Sequence, residues 1–119
     1  MRVEHVDFVS VLTQDLQRAR AFYVETLGLE VETEGDSDLE LRCGQVTLDV
    51  FDPSSIGQAF APSPAGISLR VPDVDAARAE LEAKGVEFDG DTIVTSVCKQ
   101  AWFKDPDGNA LMLHRRFDV

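Results

Sequence analysis

The stretch FVSVLTQDLQRARAFYVETLGLEV, Phe8 to Val31, is answered later in the chain by GISLRVPDVDAARAELEAKGVEF, Gly66 to Phe88. At a constant shift Ser10 falls on Ser68, Asp15 on Asp73 and Ala19-Arg20-Ala21 on Ala77-Arg78-Ala79, while Gly28 falls on Gly85 after one deletion. An internal repeat constrains the architecture before any single residue does, because both copies must build the same unit.

Each copy reads as strand, helix, strand. Val6 to Leu12 is β-branched and aromatic, Asp15 supplies an N-cap oxygen, and Leu16, Ala19, Tyr23 and Leu27 recur on one helical face until Gly28 gives the left-handed stop. In the second copy Asp73 is the cap, Val74, Ala77 and Leu81 form the stripe, and Gly85 is the stop. Three strand candidates follow Gly28: Leu29 to Thr33, Leu39 to Cys43 and Val46 to Phe51. After Gly85 they are Val86 to Phe88, Val97 to Lys104 and Ala110 to Arg115, with Asp105-Pro106-Asp107-Gly108-Asn109 as the turn before the last. The pattern is βαβββ twice. Asp52 to Gly66 holds three of the five prolines and reads as an extended linker. The expected organisation is one domain over 1–119, with module one at about 1–52, a linker at about 53–65 and module two at about 66–119.

Composition narrows the partners. Hydrophobic residues make up 44% and charged residues 28%, a globular balance with no apolar run long enough to cross a bilayer. A net charge of -11 would repel phosphate backbones and anionic lipid, so neither nucleic acid nor membrane is an expected partner. Glu4 and Asp7 interrupt the apolar stretch that a secretory signal would need, and Cys43 and Cys98 have no CxxC spacing, so a cytoplasmic protein with reduced thiols is expected.

The two βαβββ modules carry Asp-Leu before the first helix, Phe-Tyr inside it, Leu-Gly after it, and Asp-Pro-Asp-Gly-Asn near the end. In that combination the chain resembles the vicinal oxygen chelate superfamily of glyoxalases, bleomycin resistance proteins and dioxygenases. The resemblance implies an α+β fold in which the modules form a curved mixed sheet, and a homodimer to which Ile56 and Phe60 of the linker would contribute. It also implies four His or Glu ligands for a divalent metal, on the inward faces of the first and last strands of each module. Those positions hold Phe8, Asp49, Gly66 and Met112 here, and only Asp49 could bind a metal. A catalytic cation usually needs about three protein ligands, so no cofactor is expected, and the family's metal chemistry does not carry over.

Residues two apart on a strand share a face, which lines up Phe8, Ser10, Thr47, Asp49, Phe51, Ser68, Arg70, Met112 and His114 with the lost ligands. Resemblance to glyoxalase I adds Cys98, Gln100 and Trp102. Asp49 reads as a general base or substrate anchor, or else as a carboxylate paired with Arg70 or exposed at the sheet edge. Arg70 reads as a clamp on a ligand carboxylate or phosphate, or as a surface ion pair. His114 is an acid/base candidate or a half-exposed strand-end residue, and His5 is solvated and has no assigned role. Cys98 has no activating partner and reads as a small buried hydrophobe; Trp102, Phe8 and Phe51 are core residues or stacking plates. The expectation is a small-molecule-binding protein that sequesters an apolar or aromatic metabolite or antibiotic. The alternative is a glyoxalase-like lyase/isomerase or dioxygenase-type enzyme using a non-standard metal or acid/base site, Asp49 with His114. A scaffold module docking a protein through its acidic surface is a third possibility.

Overall fold

The computed structural model describes residues 1–118. It divides into two compact units, Met1–Pro62 and Ser63–Val119, and the boundary falls inside the expected linker. The first unit contains β1 (Phe8–Leu12), α1 (Leu16–Arg20), a π-helical segment (Ala21–Thr26), β2 (Glu30–Glu34), β3 (Asp38–Cys43), β4 (Val46–Phe51) and a 3-10 turn (Pro53–Ile56). The second contains β5 (Ile67–Arg70), α2 (Val74–Ala83), β6 (Ile93–Val94), β7 (Cys98–Lys104) and β8 (Ala110–Arg116).

Each unit builds a four-stranded mixed sheet of the same topology, β1-β4-β3-β2 and β5-β8-β7-β6. In both, the first strand runs parallel to the last and the remaining neighbours are antiparallel. The caps are the expected ones: Asp15 accepts from the Arg18 amide at 3.1 Å and Asp73 from the Ala76 amide at 3.0 Å. Alternation decides which side chains meet the helix. Val11, Leu39, Leu41, Leu48 and Val50 are buried in the first unit with Ala19 and Tyr23; Ala101, Phe103, Leu111 and Leu113 are buried in the second with Val74 and Leu81. Burying each of the larger of these apolar side chains contributes about 1.5–3 kcal/mol. The opposite face of each sheet carries polar and aromatic residues, Phe8, Ser10 and Asp49 in the first unit and Arg70, Gln100 and Trp102 in the second.

The repeat's one deletion has a structural counterpart. Thirteen positions separate Asp15 from Gly28 but only twelve separate Asp73 from Gly85. Cap and stop are fixed in both units, with Gly28 at φ 80° and Gly85 at φ 93°, so the first helix must absorb one extra residue. It does so by widening into the π segment, where the Leu27 amide reaches back to the Phe22 carbonyl.

Three sequence expectations are corrected. Val86 to Phe88 is not a strand: Phe88 makes a single bridge to Phe103, and the sheet edge is taken instead by Ile93 and Val94. Between them the Asp89 amide donates to the Trp102 carbonyl of β7 at 2.7 Å, and Arg78 lies 4.7 Å above the Phe88 ring while donating to the Gly90 carbonyl and the Thr92 hydroxyl. The first strand begins at Phe8 rather than Val6, which is exposed and lies before the first ladder pair, Phe8 with Thr47. The linker is not wholly extended, since the Asp52 carboxylate caps Ser54 and closes the 3-10 turn. No helix among the described residues is long and apolar enough to cross a membrane.

Candidate functional site

On the open face of the first sheet, register places Phe8 beside Thr47, Ser10 beside Asp49 and Leu12 beside Phe51. β4 is an inner strand, so Asp49 is not at the sheet edge. Its Oδ2 accepts from the Ser10 hydroxyl at 3.1 Å, whereas its Oδ1 is out of solvent and has no hydrogen-bond partner. β3 lays Glu40 directly across from Asp49 and Asp38 across from Phe51 on the same face. Burial pushes the Asp49 carboxyl above its ordinary value, and the neighbouring Asp38 and Glu40 carboxylates push it further against the opposing Ser10 bond. The sequence reading did not name Asp38 and Glu40. The alternation in DLELRC, Leu39 and Leu41 inward and Asp38, Glu40 and Arg42 outward, carried the information.

A raised folded-state value means that native Asp49 holds its proton to higher pH than the unfolded chain does, so stability falls as pH rises from the ordinary carboxylate range through the higher native value. Asp49→Asn removes this titration. It is expected to raise the melting temperature at pH 7 by a few degrees. The gain should shrink as pH falls toward the ordinary carboxylate range, because native Asp49 takes up its proton before the unfolded chain does. Melting curves across this range check it; a variant less stable than wild type at pH 7 would contradict it.

In the second unit one row across the sheet is Ser68, Met112 and Trp102, and the next is Arg70, His114 and Gln100. The Trp102 indole donates to Gln100 Oε1 at 2.7 Å, Gln100 Nε2 lies 3.8 Å from the Cys98 sulfur, and that sulfur lies 3.4 Å from the Thr95 hydroxyl. Cys98 is buried, as its reading as a small hydrophobe anticipates. Burial pushes the other thiol, Cys43, up from its ordinary value, away from nucleophile chemistry. Arg70 is exposed and has no ion pair or hydrogen-bond partner among the described residues. His114 is half-buried on the same face, and His5 is exposed and contacts Asp7 at 2.9 Å.

Gly66 lies just before β5, at φ 72°, with Trp102 directly over it. A Cβ at this position would come within 2.6 Å of the indole Cη2 and closer still to Cζ3. The position that the family resemblance assigns to a metal ligand is therefore covered by an aromatic ring. Phe8, Asp49, Gly66 and Met112 together offer one carboxylate, and no three His, Cys, Asp or Glu side chains among the described residues group closely enough to hold a metal ion. These residues do not fit a divalent metal. Two hollows of about 150 Å³ and about 260 Å³ in the first unit, one beside Leu16 and Leu39 and the other beside Thr13 and Phe60, include none of the expected ligand-binding residues.

The sheet pairs and the open faces define a duplicated βαβββ protein, and comparison with known proteins gives the family. The model of the Glyoxalase/Bleomycin resistance protein/Dioxygenase superfamily matches residues 2–113, and the chain belongs to that superfamily. Among solved structures it is similar to an antibiotic binding protein from a Streptomyces species, at 33% identity over 98% of both chains with a TM-score of 0.80. It is also similar to a glyoxalase/bleomycin resistance protein from Streptomyces, at 32% identity over 93% of this chain and 100% of the other with a TM-score of 0.76. A lactoylglutathione lyase from Agrobacterium tumefaciens shares the fold at 21% identity, with a TM-score of 0.81 over 95% of this chain and 94% of that one. No curated protein matches the sequence.

Proposed function

We propose that this protein binds an apolar or aromatic small molecule, an antibiotic or a metabolite, and holds it without a metal ion. The observation that carries this reading is the indole of Trp102 lying over Gly66, where the metal-binding relatives would need a donor side chain. The open face of the first unit offers the Phe8 ring and the Ser10 hydroxyl, and that of the second unit, by itself, offers the Trp102 ring for stacking, Met112 as an adaptable apolar contact, and Ser68 and Gln100 as polar contacts. The likeness to an antibiotic binding protein supports the same class of ligand. A homodimer belongs to this proposal, supported by the exposed Ile56, and so does a cytoplasmic location, supported by the free Cys43 and Cys98.

A thermal-shift panel of planar aromatic compounds and thiol-bearing metabolites tests it. A true ligand at about a hundred times its dissociation constant stabilises the native state by roughly 2.7 kcal/mol, which raises the melting temperature by several degrees. Chelator treatment should leave both the apo melting temperature and this shift unchanged. Stoichiometric nickel, zinc, manganese or iron in the purified protein, with a melting temperature that falls when it is stripped, would overturn the reading.

Asp49 favours a second reading, in which the molecule is processed. An inner-strand carboxyl raised by burial, with one oxygen unpartnered, is suited to taking a proton from a carbon acid beside a carbonyl. Recovery of the bound compound chemically unchanged after long incubation separates binder from enzyme, and turnover abolished by Asp49→Asn would establish the latter.

A further inference from the structure

We infer that the open face of the second unit takes a planar aromatic molecule bearing an anionic group, with Trp102 as its stacking plate and Arg70 as its anion anchor. This rests on the reading of the protein as a binder of aromatic small molecules and specifies the ligand's charge.

Two constraints fix the plate before any ligand arrives. The indole lies over the Gly66 backbone, and its N–H is held by Gln100 Oε1 at 2.7 Å, so rotation in either sense meets an obstacle or breaks a hydrogen bond. A ring ordered in advance loses little entropy on binding, which is the condition under which stacking contributes most to affinity. The anchor is fixed by register. Arg70 stands in the row next to that of Trp102 and two strands away. With strands about 4.8 Å apart and about 6.6 Å between same-face neighbours, the two Cα atoms are roughly 12 Å apart. A ligand of two or three fused rings with a carboxylate or phenolate at one end spans that distance once the arginine arm reaches inward.

Charge gives the sign. The chain has 22 acidic and 11 basic residues, yet β5, β7 and β8 present no acidic side chain on this face. Arg116, at the far end, is neutralised by Asp118, whereas Arg70 is exposed and unpaired among the described residues. An unpaired guanidinium is a planar two-pronged donor, and a carboxylate matches it with two parallel hydrogen bonds. In a strongly acidic protein an unpaired arginine beside a fixed ring favours an anionic aromatic over a neutral one.

Trp102 is the only tryptophan, so its fluorescence reports on this face alone. The probes are naphthoate and naphthylmethanol, which share a ring system and differ in charge. Both should quench saturably, and naphthoate should bind about tenfold more tightly, the effect of a charge-assisted hydrogen bond. Arg70→Gln, at an exposed position, should erase that advantage by weakening naphthoate about tenfold more than it weakens the neutral probe. Trp102→Phe, followed by calorimetry, should weaken both probes. Equal affinities in the wild type, or a preference that survives Arg70→Gln, overturns the anion assignment while leaving the binding reading intact. If neither probe quenches saturably, the binding of planar aromatics falls with it.

Discussion

Asp105→Ala is expected to remove about 2–6 kcal/mol from the stability of the second unit, the cost of taking a hydrogen-bond acceptor from two buried donors. Asp105 is 5% exposed, and its carboxylate accepts from the Asp107 amide at 2.9 Å, the Asn109 amide at 2.9 Å and the Asn109 side-chain amide at 2.8 Å. Asn109, fully buried, passes the connection on: its Oδ1 accepts from the Ser63 amide at 2.8 Å, and the Ser63 carbonyl accepts from the Ala110 amide at 2.9 Å. The Asp-Pro-Asp-Gly-Asn turn thus does more than reverse the chain. It ties the segment that leads into β5 to the start of β8. Alanine at 105 takes the carboxylate away from three donors, and the two on buried Asn109 cost about 1–3 kcal/mol each when they lose it. Since domains of this size are stable by only about 5–15 kcal/mol, the variant should unfold at a much lower urea concentration. Asp105→Asn, which keeps one acceptor oxygen, should fall between the two. A midpoint for the alanine variant within error of wild type would show that water enters the turn and replaces the carboxylate.

The halves of the molecule were legible in sequence wherever one local signal sufficed. Caps at Asp15 and Asp73, stops at Gly28 and Gly85, and β4 from Val46 to Phe51 all stand where local chemistry puts them. Prediction failed where a distant contact outweighed local propensity. Val86 to Phe88 has the residues of a strand, but its pairing with β7 is limited to the Phe88 bridge and the Asp89 amide on the Trp102 carbonyl, while Arg78 on α2 binds the next turn at Gly90 and Thr92, and no signal within the segment encodes that. The π segment is an intermediate case, since the missing residue in the second copy was visible while its absorption within the helix was not.

The candidate site divides along the same line. Period-two alternation is enough to say which residues share a face, and the register places Ser10 with Asp49 and Gln100 with His114 accordingly. It does not say what a side chain rests on. Neither the unpartnered Oδ1 of Asp49 nor the seat of Trp102 on Gly66 follows from spacing, because both depend on how side chains cross from one strand to another.

Gly66→Ala is the second substitution with a large expected effect, and it separates two reasons for a glycine at this place. A φ of 72° costs a residue with a Cβ about 1–2 kcal/mol, and forcing a methyl group into the space of the indole costs typically 1–3 kcal/mol more. The expected total is about 2–5 kcal/mol. The ring can yield only by swinging off, which breaks its bond to Gln100, so Trp102 emission should shift to the red as the indole meets water. In a Trp102→Ala background only the backbone strain remains, and the same glycine substitution should then cost about 1–2 kcal/mol, leaving a coupling energy of about 1–3 kcal/mol between the two sites. An equal cost in both backgrounds would mean that the indole does not occupy this space in solution. The consequence reaches beyond stability, because histidine or glutamate would bring the same Cβ as alanine. A donor side chain at position 66 and an indole seated over it are mutually exclusive, so introducing a ligand here without trimming Trp102 should unseat the ring rather than create a metal site.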